Sequence, residues 1–546
     1  MPQPRVHALT ALALIFAALP AWSAELSVAP NGGGPGTNFA SLSAAMAQLQ
    51  PGDHLVITAG TYRDALIFPQ RNWSGAETVI EGRGKVLVKG SDVVEGWKSL
   101  GEGRFSKPWN TEPQQVFLDG QALSQIGGTV FGGYPLKPNH PLAPLFNNKK
   151  GGIWPGRREG NQDSMTANSF YYDSAQGTLL LQLALTDLAN HMIEVSTRPQ
   201  LLYGNKLNNV TIRNISFQHS NTSTAMRAGM VTLLGQHITL DNIHADWADS
   251  AGMDINGDDI VIRNSSADNC GQVGMKVRGR RNKLIGNETN GNNTRGFYKW
   301  WEAGGAKFVG DGGLQDSQVI GHRAINNLGD GMWFDWKNRN NVIERGFFAY
   351  NQGFGLQYEA SDQATIVNNV VIGNDQRGIY LPHSSNSVVA FNLVAGNRMQ
   401  GITVADEGRR DPNGDFDFSG RSDKIFGNVM AWNAGPLLLP DNLADNLSDD
   451  NLYIGDESQT NPAKGRGHVF QAKLKDWAQQ TQLDLGSQRI EQPIDPAFKR
   501  SIDERRQNPD LTWYQTLRAR SKPMQIDPAL MKLVPGVTDT RPGPTL

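Results

Sequence analysis

Four short stretches decide the fold: Gly331-Met-Trp-Phe-Asp335, Gly355-Leu-Gln-Tyr-Glu359, Gly378-Ile-Tyr-Leu-Pro382 and Gly401-Ile-Thr-Val-Ala405, following one another at steps of 24, 23 and 23 residues. The same reading continues upstream through Gly252-Met-Asp-Ile-Asn256, Gly274-Met-Lys-Val-Arg278 and Gly296-Phe-Tyr-Lys-Trp300. One step, the 35 residues from Gly296 to Gly331, is about 12 too long and predicts an insertion loop there. A second register agrees: Asn292, Asn327, Asn351, Asn374 and Asn397 each stand four residues before a repeat glycine. Further short β-like segments lie between the glycine-led ones, among them Asn209-Val-Thr-Ile-Arg213, Asp259-Ile-Val-Ile-Arg263 and Asn341-Val-Ile-Glu344.

Each apolar run is 3–5 residues long, alternates with period 2 and is rich in β-branched residues, which argues against a helical solenoid. The leucine spacing of a leucine-rich repeat is absent. The pattern predicts an all-β fold, a right-handed parallel β-helix with coils of about 23 residues. Equivalent positions in successive coils then stack ~4.8 Å apart, so the Asn column can form a side-chain ladder. Cys270 falls in that column, four residues before Gly274, and reads as a ladder residue rather than a reactive thiol.

Residues 1–24 read as a signal peptide: Arg5, an apolar run from Ala8 to Pro20, then Ala21-Trp22-Ser23-Ala24. The run is too short for a membrane span, so an exported protein, periplasmic or secreted, is expected. Residues 25–100 read as a cap and first coils, with a cap helix over Phe39-Ala-Ser-Leu-Ser-Ala-Ala-Met-Ala-Gln-Leu49. Residues 101–200 break the repeat and read as a β-rich insertion with hairpins at Gln115–Gly120 and Ser169–Leu183. The core spans 201–455, and 456–546 is a capping tail with a short helix at Lys473–Gln480. A single Cys rules out an internal disulfide, and a net charge of -2 gives no nucleic-acid footprint or polybasic anchor. Nothing calls for an oligomer, and a monomer is expected.

Strand alternation sends the first and third residues after each glycine inward and the second and fourth outward. The outward stripe reads Asp254/Asn256, Lys276/Arg278, Tyr298/Trp300, Trp333/Asp335, Gln357/Glu359 and Tyr380/Pro382, with His383 next. Carboxylates, bases and aromatic rings on one face predict a carbohydrate groove, because sugar rings stack on Trp and Tyr faces. Asp335 and Glu359 share a register on adjacent coils, so their backbones are expected ~5 Å apart. Carboxyl groups at that separation suit glycoside hydrolysis with retention, one as acid/base and one as nucleophile. Glu302, in Lys299-Trp-Trp-Glu-Ala-Gly-Gly-Ala-Lys307, is a third acid. Lys276, Arg278, Tyr298, Trp300, Lys307, Trp333, Gln357, Tyr380 and His383 are candidate substrate-binding residues. No cofactor is required; Asp411-Pro-Asn413-Gly-Asp415-Phe-Asp417 resembles an oxygen-rich Ca²⁺ loop but lacks a closing Glu and reads more simply as a polar turn.

The chain resembles the pectin-lyase-like right-handed β-helix superfamily over most of 25–455. The stretch Gly296–Ser361 is similar to bacterial parallel β-helix repeat proteins with glycoside-hydrolase-like members. The residues that carry this are Trp301-Glu302-Ala303-Gly304, Gly331–Asp335, Asn351 with Gly355, and Tyr358-Glu359-Ala-Ser361. The resemblance implies a carboxylate pair on one outward sheet, here Asp335 and Glu359 with Glu302 as a third member. The superfamily also holds polysaccharide lyases and uronan C5-epimerases, which would use a Lys, His or Tyr base on an acidic polysaccharide, and fold does not choose among them. A non-catalytic polysaccharide-binding solenoid is the remaining reading.

Overall fold

The computed structural model describes residues 24–30, 38–127, 160–222, 228–297, 299, 302–310, 312–443, 445–456, 467–470, 473–523 and 526–545. The signal segment therefore lies outside the described residues, as do Tyr298, Trp300, Trp301 and much of the insertion.

The chain winds as a right-handed parallel β-helix. One sheet is built from the glycine-led strands Ala251–Asp258, Val273–Arg280, Gly304–Phe308, Asp330–Asp335, Leu356–Glu359, Ile379–Pro382, Gln400–Ala405 and Gly435–Leu439, each parallel to the next. A second sheet stacks Val261–Arg263, Lys283–Ile285, Gln318–Ile320 and their successors. A third stacks Arg323–Ile325, Phe347–Ala349, Val370–Ile372 and onward. Inward residues Met253, Met275, Met332, Leu356, Ile379 and Ile402 are 0% exposed. Phe308, Phe334 and Tyr358 stack with ring centroids 4.5 and 5.1 Å apart.

The Asn column is the ladder its spacing predicts. Asn351 Nδ2 donates to Asn374 Oδ1 (2.9 Å), Asn374 Nδ2 to Asn397 Oδ1 (2.9 Å), and each Oδ1 also takes the backbone N–H of the residue before it in the column. Cys270 occupies this column, its N–H donating to Asn292 Oδ1 at 2.9 Å, and its thiol is fully buried.

One register reading is corrected. The strand between the Gly274 and Gly331 coils is Gly304–Phe308, not the Gly296-led segment; Gly274 and Gly331 both align with Gly305. The reason is steric. A Cβ on Gly305 would lie 2.3 Å from Gly331 O and 2.9 Å from Asn327 Nδ2, whereas nothing lies within 4 Å of a Cβ on Gly296. Only Gly305 needs to be glycine for close approach to the ladder, so the extra residues fall largely before the strand.

The cap helix covers Leu42–Gln48, shorter than expected because the Ser41 hydroxyl accepts Ala44 N–H and starts it there. In the insertion, Ser169–Asp173 and Thr178–Gln182 form the expected antiparallel hairpin, inside a five-stranded sheet. At the far end, His468–Val469 pairs antiparallel on the last glycine-led strand, and Trp477 of helix Leu474–Thr481 stacks on Phe470. The rest of the tail does more than close this end. Helices Pro496–Asp503 and Thr512–Arg520 place Phe498 and Tyr514 against the outer face of the third sheet, with Ile372, Leu393 and Val429.

Candidate active site

The Gly+2 positions form one column of register neighbours: Asp254, Lys276, Lys307, Trp333, Gln357, Tyr380 and Thr403. Lys307, not Tyr298, holds this position in its coil. The column is largely covered: its members are at most 7% exposed. Asp335 and Glu359, at Gly+4, are register neighbours on adjacent strands and remain partly open, with 21% and 18% side-chain exposure.

Both carboxylates end their strands because the chain then turns sharply. Trp336, Lys337, Ala360 and His383 all have positive φ, 64°, 67°, 45° and 56°, a costly conformation for residues with a Cβ. Hydroxyls hold the turn in place: Ser361 Oγ donates to Glu359 O at 2.7 Å, and Ser384 Oγ to Tyr358 O at 2.7 Å.

The two acids have different surroundings. Lys307 Nζ donates to Asp335 Oδ2 at 2.9 Å and lies over the face of Trp333. Burial pulls the Lys307 ammonium below the usual lysine pKa, and Asp335, Glu302 and Glu359 oppose that pull. Glu359 takes three donors: Trp333 Nε1 (3.0 Å) and Gln357 Nε2 (2.9 Å) on Oε2, and Arg409 Nη1 (2.9 Å) on Oε1. Burial and then the like charge of Asp335 raise the Glu359 pKa, outweighing Lys307, Arg409 and these hydrogen bonds.

The predicted cations are already engaged. Lys276 Nζ donates to Glu302 Oε2 (3.1 Å), and Arg278 Nη1 to Asp254 Oδ1 (2.9 Å). Glu302 sits at the end of the loop before Gly304–Phe308, 8% exposed. Tyr380 packs against Phe354, centroids 4.7 Å apart, and burial pushes its phenol up to about 12. His383 lies 4.0 Å from Glu407, and burial lowers its pKa. In the acidic loop, Asp411 pairs with Lys337 (2.8 Å) and Asp417 with Arg421 (2.6 Å).

Three site residues escape sequence reasoning. Arg409 reaches Glu359 from a loop 50 residues downstream, and its guanidinium lies 4.7 Å from the Trp336 ring centroid. Asp330 is fully buried one residue before Gly331, accepts Phe354 N–H at 2.8 Å, and is pushed by burial up to about 7. Arg377, one residue before Gly378, lies over Tyr380 at 4.5 Å. Only the last two carry a signal, their fixed place beside a repeat glycine; a loop arginine has none.

Residues 159–312 match the family described as right handed beta helix region, and residues 307–435 the family described as periplasmic copper-binding protein (NosD). The fold is the right-handed parallel β-helix. Among solved structures, the complex of XylC with xylose is similar at TM-score 0.56 and 14% identity, covering 86% of each chain. A glycoside hydrolase follows at TM-score 0.45 and 11% identity, covering 78% of this chain and 95% of that one. The A-module of the Azotobacter vinelandii mannuronan C-5 epimerase AlgE6 gives TM-score 0.42 and 11% identity, covering 83% and 95%. No curated protein matches the chain. The stretch matched by the second family, residues 307–435, contains two histidines, His322 and His383, and three methionines, Met332, Met399 and Met430, but no Cys. His322 is buried against Thr289 Oγ1 at 2.9 Å, and no group of three His, Cys, Asp or Glu able to hold a metal occurs among the described residues.

Proposed function

We propose that this chain is an exported, carbohydrate-active enzyme, specifically a glycoside hydrolase that cleaves a poly- or oligosaccharide with retention of configuration. The observation that carries this reading is the register pairing of Asp335 with Glu359 in unlike electrostatic settings. Asp335 is ion-paired through Oδ2, which leaves Oδ1 to attack the anomeric carbon. Glu359, with its raised pKa, supplies the proton. In the first step the Asp335–C1 bond forms, the glycosidic C–O bond breaks, and the Glu359 proton passes to the leaving oxygen. In the second step Glu359 takes a proton from water, the water oxygen attacks C1, and Asp335 is released as a carboxylate. Complex formation between xylose and a β-helix of similar shape agrees with a sugar ligand. The buried Gly+2 column favours a short or terminal sugar over a long strand laid in an open groove.

Asp335→Asn and Glu359→Gln should each lower kcat by at least about a hundredfold on whichever glycan of a panel is cleaved, with folding unchanged by circular dichroism. Proton NMR of the first-formed product should show the anomer of the substrate. Full activity in both variants would remove this pair from the mechanism.

The lowered pKa of Lys307 supports a second reading, in which the lysine removes a proton next to a uronate carboxyl, as in a lyase or epimerase. Absorbance near 235 nm from an unsaturated product would select elimination and exclude the hydrolase.

A further inference from the structure

Most cations on the outward face of the site sheet have a carboxylate partner in the chain. Lys276 has Glu302, Arg278 has Asp254, Lys307 has Asp335 and Arg409 has Glu359. Arg377 differs. Its Nε donates to Gln400 Oε1 at 3.1 Å and its guanidinium lies 4.5 Å from the Tyr380 ring centroid. Among the described residues no carboxylate forms an ion pair with it. Two contacts fix its plane without using its terminal nitrogens. Partial burial pulls its pKa below the usual arginine value, and Tyr380 and then Glu407 offset that only in part.

Arg377 is half-buried, and its terminal nitrogens, engaged neither by Gln400 nor by the Tyr380 ring, are left for an arriving anion. The location fits a substrate-binding role. Tyr380 is the register neighbour of Gln357, which itself holds Glu359, so this shelf lies one coil over from the acid carboxylate and at least two residues back along the strand. Glu407 and Glu359 are the other charged groups that bear on it.

We propose that Arg377, seated on Tyr380 and oriented by Gln400, forms an anion subsite that receives a carboxylate or sulfate group on the sugar next to the cleaved bond. The proposal rests on the carbohydrate reading of the site but not on the roles of Asp335 and Glu359. A planar guanidinium can donate two parallel N–H bonds to such a group.

The test is calorimetric binding to full-length Asp335→Asn protein, using uronate-containing oligosaccharides, the same oligosaccharides after carboxyl reduction, and sulfated counterparts. The uronate or the sulfated ligand is expected to bind about tenfold more tightly than its neutral counterpart, with a preference that weakens as salt rises. Arg377→Ala should abolish the preference, and Arg377→Lys should restore only part of it. The stronger of the two anionic ligands identifies the group. No preference in the parent, no binding of any ligand, or a preference that survives Arg377→Ala would overturn the proposal. If the preference is present but Asp335→Asn and Glu359→Gln remain active, the hydrolase mechanism fails and the anion subsite stands. A lost preference in Arg377→Ala with native circular dichroism separates the subsite from a folding defect.

Discussion

At the scale of single residues, Glu359 and Arg409 make the pH profile a direct readout of the site. An acid catalyst works only while protonated, so activity should hold below the Glu359 pKa and fall as pH rises through it. Because burial and Asp335 raise that pKa, the alkaline limb of kcat/KM lies above the usual glutamate range. Arg409 works in the opposite direction, lowering it. Arg409→Ala should therefore move the alkaline limb to higher pH, and a limb that stays put or moves to lower pH would remove Glu359 as the acid. Asp335 and Glu359 were legible in the sequence because period-2 alternation after a fixed glycine assigns each side chain a face. Arg409 was not, since a loop has no register to read.

At the scale of the coil, the ladder from Asn351 to Asn397 is a buried polar column in which each asparagine side chain bonds both neighbours. Asn374 accepts from Asn351 N–H and Nδ2 and donates to Phe348 O and Asn397 Oδ1. Asn374→Ala leaves several of these groups unpaired and should cost about 2–4 kcal/mol, measured by denaturant unfolding. A parallel column on another turn contains an acid where its neighbour has an amide. Asp423 is fully buried, accepts Ser387 N–H at 2.8 Å through Oδ1, and has no hydrogen-bond partner on Oδ2. Burial raises its pKa well above the ordinary value. The folded state therefore keeps a proton that the unfolded chain releases above about pH 4. This contribution to stability is complete below the unfolded pKa and is lost as pH rises toward the folded one. Asp423→Asn should raise Tm at pH 7 by a few degrees and leave it nearly unchanged at pH 4. An equal effect at both pH values would mean that titration is not the cause. The ladder itself was visible as a four-residue offset between Asn and Gly. The misplaced coil at Gly296 shows the limit of that offset, because Gly305 is required by packing against Asn327 and Gly331, contacts that only stacked coils create.

At the scale of the molecule, a solenoid is exposed at its ends and must be closed. The tail closes one end through Phe470 and Trp477, and Trp477 Nε1 donates to buried Asp484 at 2.7 Å. It also covers the third sheet through Phe498 and Tyr514. Ending the chain after residue 455 uncovers Tyr453, Leu393, Val429 and an unpaired strand at Leu452–Gly455. Such a chain should be recovered mostly as aggregate, whereas the full chain elutes as one soluble species. The insertion is held to the coils by charge. Glu194 is paired with Lys89 (2.7 Å) and Arg63 (2.8 Å), and Arg295 bonds Gln114 and Asp249.

The sequence by itself determined the coil period, the inward and outward faces, the ladder and the pairing of Asp335 with Glu359. All of these follow from local alternation repeated at a constant step, which a parallel stack turns into vertical neighbours. Only the tertiary structure decided how those neighbours are charged and covered: Lys307 on Asp335, the donors on Glu359, an Arg377 seated on Tyr380, and a tail along the third sheet. Lys307 takes its place through a coil whose length breaks the period, and Arg409 and the tail reach the sheets from segments 50 or more residues away, contacts that leave no trace in a repeat.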